Sequence, residues 1–184
     1  MKRIMGKILV LAALIMLCCA SAQADGAPWA GSGTEADLWK IASAADLVAL
    51  REYLADPNNG TSGKYFKQTA DISLSEYCGQ SKGSWAPLIT NALYFNATYD
   101  GNGHTISDLY INNTSDHQSL FGNCWDGSTG TIKNLSVEGY VSGGDQVGGI
   151  IGTTGCTLEN CSFSGTVNGG EKIGESLDMP PVIL

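Results

Sequence analysis

The chain has 184 residues, 10 basic and 18 acidic side chains, 43% apolar residues, 24 glycines and six cysteines. Its net charge of −8 opposes phosphate backbones and anionic lipid surfaces, which disfavours nucleic-acid and membrane-surface partners. The length suits one domain.

The first residues read as a cleavable export signal spanning 1–24. Lys2, Arg3 and Lys7 form a positive n-region, Ile8 to Ala20 are an unbroken apolar run, and Ala22-Gln23-Ala24 gives a small-x-small cleavage pattern. A membrane span needs about 20 apolar residues, more than this run offers, so no transmembrane segment is expected after cleavage. A lipid on Cys18 or Cys19 is disfavoured because Leu17 and Cys18, not small residues, precede them. Cleavage removes three of the ten basic residues and no acid, leaving 7 against 18, a net of −11.

Residues 25–37 are read as a flexible Gly/Ala/Ser-rich lead-in, and 38–104 as an N-terminal cap with the first strands. Ser43 with Asp46 three residues on forms a capping-box-like pair. Leu47, Leu50 and Leu54 share one helical face, and Asp56-Pro57-Asn58-Asn59-Gly60 stops the helix. Tyr65 to Leu74 reads as extended, and 75–93 as loop. Within that loop Gly79-Gln80-Ser81-Lys82-Gly83 matches G-x-S-x-G, but that chemistry needs a strand–turn–helix, and no helix pattern follows. His104 ends the turn-forming stretch Asp100-Gly101-Asn102-Gly103. Its candidate orienting partner is Asp100, and the structural corner is the favoured reading.

From residue 105 the chain repeats. Thr131 to Gly139 lines up with Thr157 to Gly165 at an offset of 26, and Thr105 to Ile111 fits the same template. This is the signature of a solenoid. Alternating apolar residues and the lack of helix patterns between strands point to a parallel β-helix, with 105–174 as its repeats. The offset predicts core columns Ile106/Ile132/Leu158, Leu109/Leu135/Cys161 and Ile111/Val137/Phe163. It also predicts a polar corner column Asp108/Asn134/Asn160 whose amides bond from coil to coil.

Asp100 to Ile106, followed by Val147-Gly148-Gly149-Ile150-Ile151-Gly152, resembles the GLUG-motif repeat family. Ser119-Leu120-Phe121-Gly122 is a weaker copy of the second motif. Trp39-Lys40-Ile41 with the helix, and Tyr65-Phe66 through Asp71-Ile72, resemble the lead-in of such proteins, so the likeness covers 38 to about 174. It implies an all-β solenoid, a right-handed parallel β-helix with an N-terminal capping helix. Family members are mostly large exported bacterial surface proteins, including adhesin-like chains and some immunoglobulin-A-cleaving peptidases, and the motif carries no known catalytic residue.

Four cysteines remain after cleavage, allowing three pairings. Cys124 and Cys156 lie in corresponding corner loops, Cys78 with Cys124 is the alternative, and the spacing does not choose between them. Cys161 sits in a column of leucines and is read as a small buried hydrophobe. Tyr110, Tyr140 and Trp125 are the candidate glycan contacts, since exposed aromatic faces stack on sugars. Asp145 and Glu171, 26 apart, are read as solvated loop residues. No catalytic residue, metal or cofactor is predicted.

After Lys172-Ile173-Gly174 the repeat calls for Gly-Ile-Ile-Gly, but the chain reads Glu175 to Leu184. A one-base shift of the back-translated tail restores Gly-Gly-Val-Phe-Gly-Tyr-Ala. Residues 175–184 are therefore expected to be a frameshifted tail on a C-terminally truncated solenoid. Its open end predicts end-to-end self-association. Taken together, these features predict an exported, non-enzymatic module of a cell-surface or secreted protein. It would act in adhesion or contact with a host or matrix glycan or a surface protein. The alternatives are a carbohydrate-active enzyme and an accessory segment of a larger secreted peptidase.

Overall fold

The structure, a computed structural model, describes residues 27–90, 94–153 and 155–170. The expected export signal, 1–24, and the expected frameshifted tail, 175–184, lie outside the described residues.

Short strands alternate with corners along the whole described chain: β1 (Trp39–Ile41), β2 (Tyr65–Gln68), β3 (Ile72–Ser73), β4 (Thr98–Asp100), β5 (Thr105–Asn112), β6 (Thr131–Lys133), β7 (Ser136–Ser142), β8 (Thr157–Glu159) and β9 (Ser162–Asn168). One helix, α1 (Ala44–Ala55), separates β1 from β2. None of these strands can bury its apolar face alone, so each pairs in parallel with the equivalent strand one coil away. Two sheets result, in the orders β1-β2-β4-β6-β8 and β3-β5-β7-β9. A third side is built from shorter segments. Leu88 and Ile89 donate to the carbonyls of Leu120 and Phe121, whose own amides donate to Gly149 and Ile150. The architecture is a parallel β-solenoid.

Alternation sends every second side chain inward, and stacking lines those side chains up. The first sheet buries Trp39, Phe66, Tyr99 and Ile132 in one column that ends on Leu158. The second buries Ile72, Ile106 and Val137 and ends on Phe163. Burial of such a side chain contributes about 1.5–3 kcal/mol. Tyr99 brings a hydroxyl into this core, where it donates to Gln68 Oε1 at 3.1 Å. Gln68, fully buried, in turn donates to the carbonyls of Ala70 and Thr105. Burial pushes the Tyr99 hydroxyl pKa far up, so it stays a neutral donor.

These registers correct the repeat read from the sequence. The offset of 26 holds from β6 to β8 and from β7 to β9, but Thr98 sits opposite Thr131, 33 residues on. Ile106 pairs with Val137, not Ile132, and Leu109 pairs with Gly139, not Leu135. A bulge between Ile106 and Leu109 sets Asp108 aside in a left-handed conformation (φ 60°). The corner column is therefore Asp100/Asn134/Asn160. Asn134 Nδ2 donates to Asp100 Oδ1 and Asn160 Nδ2 to Asn134 Oδ1, both at 3.0 Å.

Helix α1 covers the first coil. Ser43 Oγ accepts from the Asp46 amide, and Asp46 Oδ2 accepts from the Ala42 amide and the Ser43 hydroxyl, closing the N-terminus. Leu47, Leu50 and Leu54 are buried together. Residues 27–37, expected as a flexible lead-in, are packed instead. The Lys40 amide donates to Ala30 and that of Tyr65 to Gly33, while the Trp29 ring enters a cluster with Trp39, Tyr53 and Phe66. Four aromatic rings within 6.4 Å of one another thus close this end of the core.

Candidate functional site

Outward positions of the second sheet carry the first candidate surface. Parallel pairing places Tyr110 beside Tyr140, and their rings stack at 5.6 Å with an interplanar angle of 22°. Each hydroxyl accepts an amide hydrogen bond, Tyr110 from Asn112 at 3.2 Å and Tyr140 from Asn168 at 3.3 Å. The rings are half-buried along one edge and held as a two-step ladder.

The ladder forms one wall of a shallow cleft of about 450 Å³, which also presents Ser81, Lys82, Asp108 and Cys78. Gly139 lies in its floor, where an added Cβ would strike the Leu109 carbonyl. The Ser81 loop is a tight turn closed by the Gly79–Gly83 bridge, not a strand–turn–helix. Lys82 Nζ donates to the Ser75 carbonyl at 2.8 Å. Asp108 accepts from the hydroxyls of Ser73 at 2.6 Å and Ser107 at 3.2 Å. Cys78 is buried with its thiol 3.3 Å from the Asp108 carbonyl, and desolvation raises its pKa. Such a thiol packs and does not attack.

Trp125 does not join the tyrosines. It lies in the corner loop after Cys124, 40% exposed, with its ring 5.4 Å from that of His117. Of the three candidate glycan contacts, the structure unites two and separates the third. The residues around each were not legible beforehand: Lys82 comes from the loop after β3, Asp108 is turned aside by the bulge in β5, and no motif links Trp125 to its neighbours.

His104 Nδ1 lies 3.2 Å from Asp71 Oδ1, so its orienting partner is Asp71 and not Asp100. Asp71 also accepts from the Thr105 amide at 2.9 Å, and that bond, followed by His104, lowers its carboxyl pKa. Asp71 thereby ties the start of β3 to the start of β5.

The repeat motif has a mechanical reading. Val147, Ile150 and Ile151 are buried on the third side. A Cβ on Gly148 would strike the Ile151 carbonyl, one on Gly149 the Phe163 ring, and one on Gly152 the Gln146 carbonyl. Gly152 donates to Gly122 at 2.9 Å, which aligns the Ser119-to-Gly122 copy with it one coil earlier. Asn134 and Asn160 hold the corner ladder described above. Cys124 and Cys156 form the disulfide, with Cα atoms 5.4 Å apart, and Cys78 and Cys161 are free. Cys161 stacks below Leu135 but is only half-buried. Glu171 lies outside the described residues.

The fold defines a parallel β-solenoid, and comparison with known proteins places one GLUG motif in it. Residues 143–168 match the family model described as the GLUG motif. A candidate Gly-rich membrane protein of Evansella cellulosilytica is 34% identical over 102 residues, which is 54% of this chain and 11% of that protein. The crystal structure of a candidate immunoglobulin A1 protease from Bacteroides ovatus superposes with a TM-score of 0.52 at 24% identity, covering 74% of this chain and 40% of that one. The second likeness is one of fold. This chain spans a minor part of either relative. No helix among the described residues is long and apolar enough to cross a membrane.

Proposed function

We propose that this chain is a non-enzymatic repeat module of an exported cell-surface or secreted protein, and that it contacts a host or matrix glycan through the Tyr110–Tyr140 ladder. The observation that carries this reading is the stacked pair itself. Two rings fixed at a 5.6 Å step beside a cleft with hydroxyl, ammonium and carboxylate groups suit an extended sugar chain. Aromatic faces meet the apolar faces of the sugar rings, and the polar groups meet their hydroxyls.

Hydrolysis would call for two carboxylates facing each other across the glycosidic bond. The cleft is lined by one, Asp108, and two serines already engage it. The relative named as a membrane protein supports a place at the cell envelope, and the segment before residue 27 supports export. Incubating the full chain with soluble polysaccharides tests both halves at once. Retardation of a polysaccharide in affinity electrophoresis without shortening of its chains is the expected result. Released oligosaccharides would overturn the non-enzymatic reading, and absence of any retardation would overturn the glycan reading.

A further inference from the structure

We propose that the cavity beside Trp125 is a second binding site, one that takes a single uncharged pyranose ring. It has a volume of about 430 Å³ and is lined by Asn123, Trp125, Asp126, Gln146, Thr153 and Gly155 together with the Cys124 half of the disulfide. It shares no lining residue with the tyrosine cleft, so the inference does not depend on the ladder. The volume lies within the usual range of small-molecule sites, about 300–1,000 Å³.

Three observations converge on a ligand rich in hydroxyls. Asn123 is 4% exposed, and one end of its amide contacts the Thr153 hydroxyl while the other finds no partner among the described residues. An unpaired buried amide is costly. That end has no solvent access in the free protein; a turn of the side chain on binding brings it to the cavity, where a sugar hydroxyl, which both donates and accepts, satisfies it whichever way the amide is assigned. Next, no hydrogen bond within the described residues engages the side chains of Asp126 and Gln146, which line the same space. Finally, Trp125 exposes an indole beside these polar groups, braced on its other flank by His117. That is the combination that grips a sugar ring, with one apolar face against the indole and the hydroxyl edge against amides. Asp126 and the net charge of −8 exclude uronic acids by repulsion.

The backbone commits the site further. Gln146 holds φ of 58°, a region uncommon for residues other than Gly, Asn, Asp and His, and His117 holds 60°. They sit at equivalent corners of successive coils, since the His117 amide donates to Asp145 and the Gly148 amide to Gln118. Strain of this kind concentrates at binding sites. The Cys124–Cys156 disulfide clamps the loop that carries Trp125, and the Gly155 amide donates to the Cys124 carbonyl at 3.0 Å.

Saturation-transfer NMR and calorimetry on the full chain, with methyl glycosides of neutral hexoses, N-acetylhexosamines and uronic acids, test the proposal. At least one uncharged glycoside should bind and the uronates should not. Trp125→Ala and Gln146→Gly should each weaken binding at least tenfold, while Glu52→Ala, on the exposed side of α1 and outside both clefts, leaves it unchanged. Gln146→Gly deletes the amide yet suits the left-handed backbone, so an undiminished melting temperature separates lost binding from lost fold. The proposal is overturned if no uncharged glycoside binds, or if Gln146→Gly binds as tightly as the parent.

Discussion

Asn160 donates its side-chain amide to Asn134 Oδ1 at 3.0 Å across one coil step, with both residues in the left-handed region at φ 51° and 53°. Asn134 passes the same bond on to Asp100. It therefore makes two ladder bonds while half-buried, whereas Asn160 is exposed. Asn134→Ala should cost about 1–3 kcal/mol, plus a penalty for an alanine held at positive φ. Asn160→Ala should cost less. Asn134→Gly, which keeps the conformation and loses the bonds, should fall between Asn134→Ala and the parent. Urea denaturation of the three variants checks the order.

The motif glycines make room for specific atoms. Gly149→Ala sets a methyl against the Phe163 ring and should destabilise by about 1–3 kcal/mol through overpacking. Phe163→Val should restore much of that loss, because the clashing group is a side chain. Gly148→Ala meets the Ile151 carbonyl instead, and Phe163→Val should not rescue it. A double-mutant cycle by thermal melting separates the two cases.

The disulfide closes a sequence separation of 32 residues. A loop of that length contributes up to about 3–4 kcal/mol by restricting the unfolded chain. Reduction should lower the melting temperature and add the Cys124 and Cys156 thiols to Cys78 and Cys161, which are free beforehand and react slowly because burial raises their pKa values. Thiol counting in native and denatured protein, with and without reductant, gives the numbers directly.

Asp71 gives the fold an acid dependence of known sign. Its folded pKa lies below the ordinary carboxyl value, first because of the Thr105 amide and then His104. The stability it contributes is therefore present above the unfolded pKa and is lost as pH falls through the folded one. Asp71→Asn should melt earlier than the parent at pH 6, and the gap should close as pH drops below about 4. Melting curves at stepped pH measure the gap.

Much of the architecture was legible because it is written locally. Ser43, Asp46 and the three helix leucines announced α1, and the last two coils share one length, so their register could be counted. The earlier coils resisted because their corners vary: Tyr65 to Thr98 and Thr98 to Thr131 are each steps of 33. Asp108 misled for a physical reason. Like Asn134 it is a short polar residue at positive φ, but it serves a bulge within β5 and not the corner between sheets. That Tyr110 and Tyr140 face outward was visible through alternation; their stacking was not, because an offset of 26 sets Tyr110 beside Ser136 and the bulge in β5 brings it to Tyr140. The cavity at Trp125 was not visible either, since Gln146 and Thr153 join Asn123 and Asp126 only when the next coil is stacked on that loop.

The central claim is that the stacked tyrosines bind sugar chains without cutting them. It is tested most directly by a glycan array probed with the full chain and with a Tyr110→Ser, Tyr140→Ser double variant of verified fold. The account predicts retention of a defined set of oligosaccharides by the parent and at least a tenfold loss in the double variant. Equal retention by both proteins, or none by either, would contradict it.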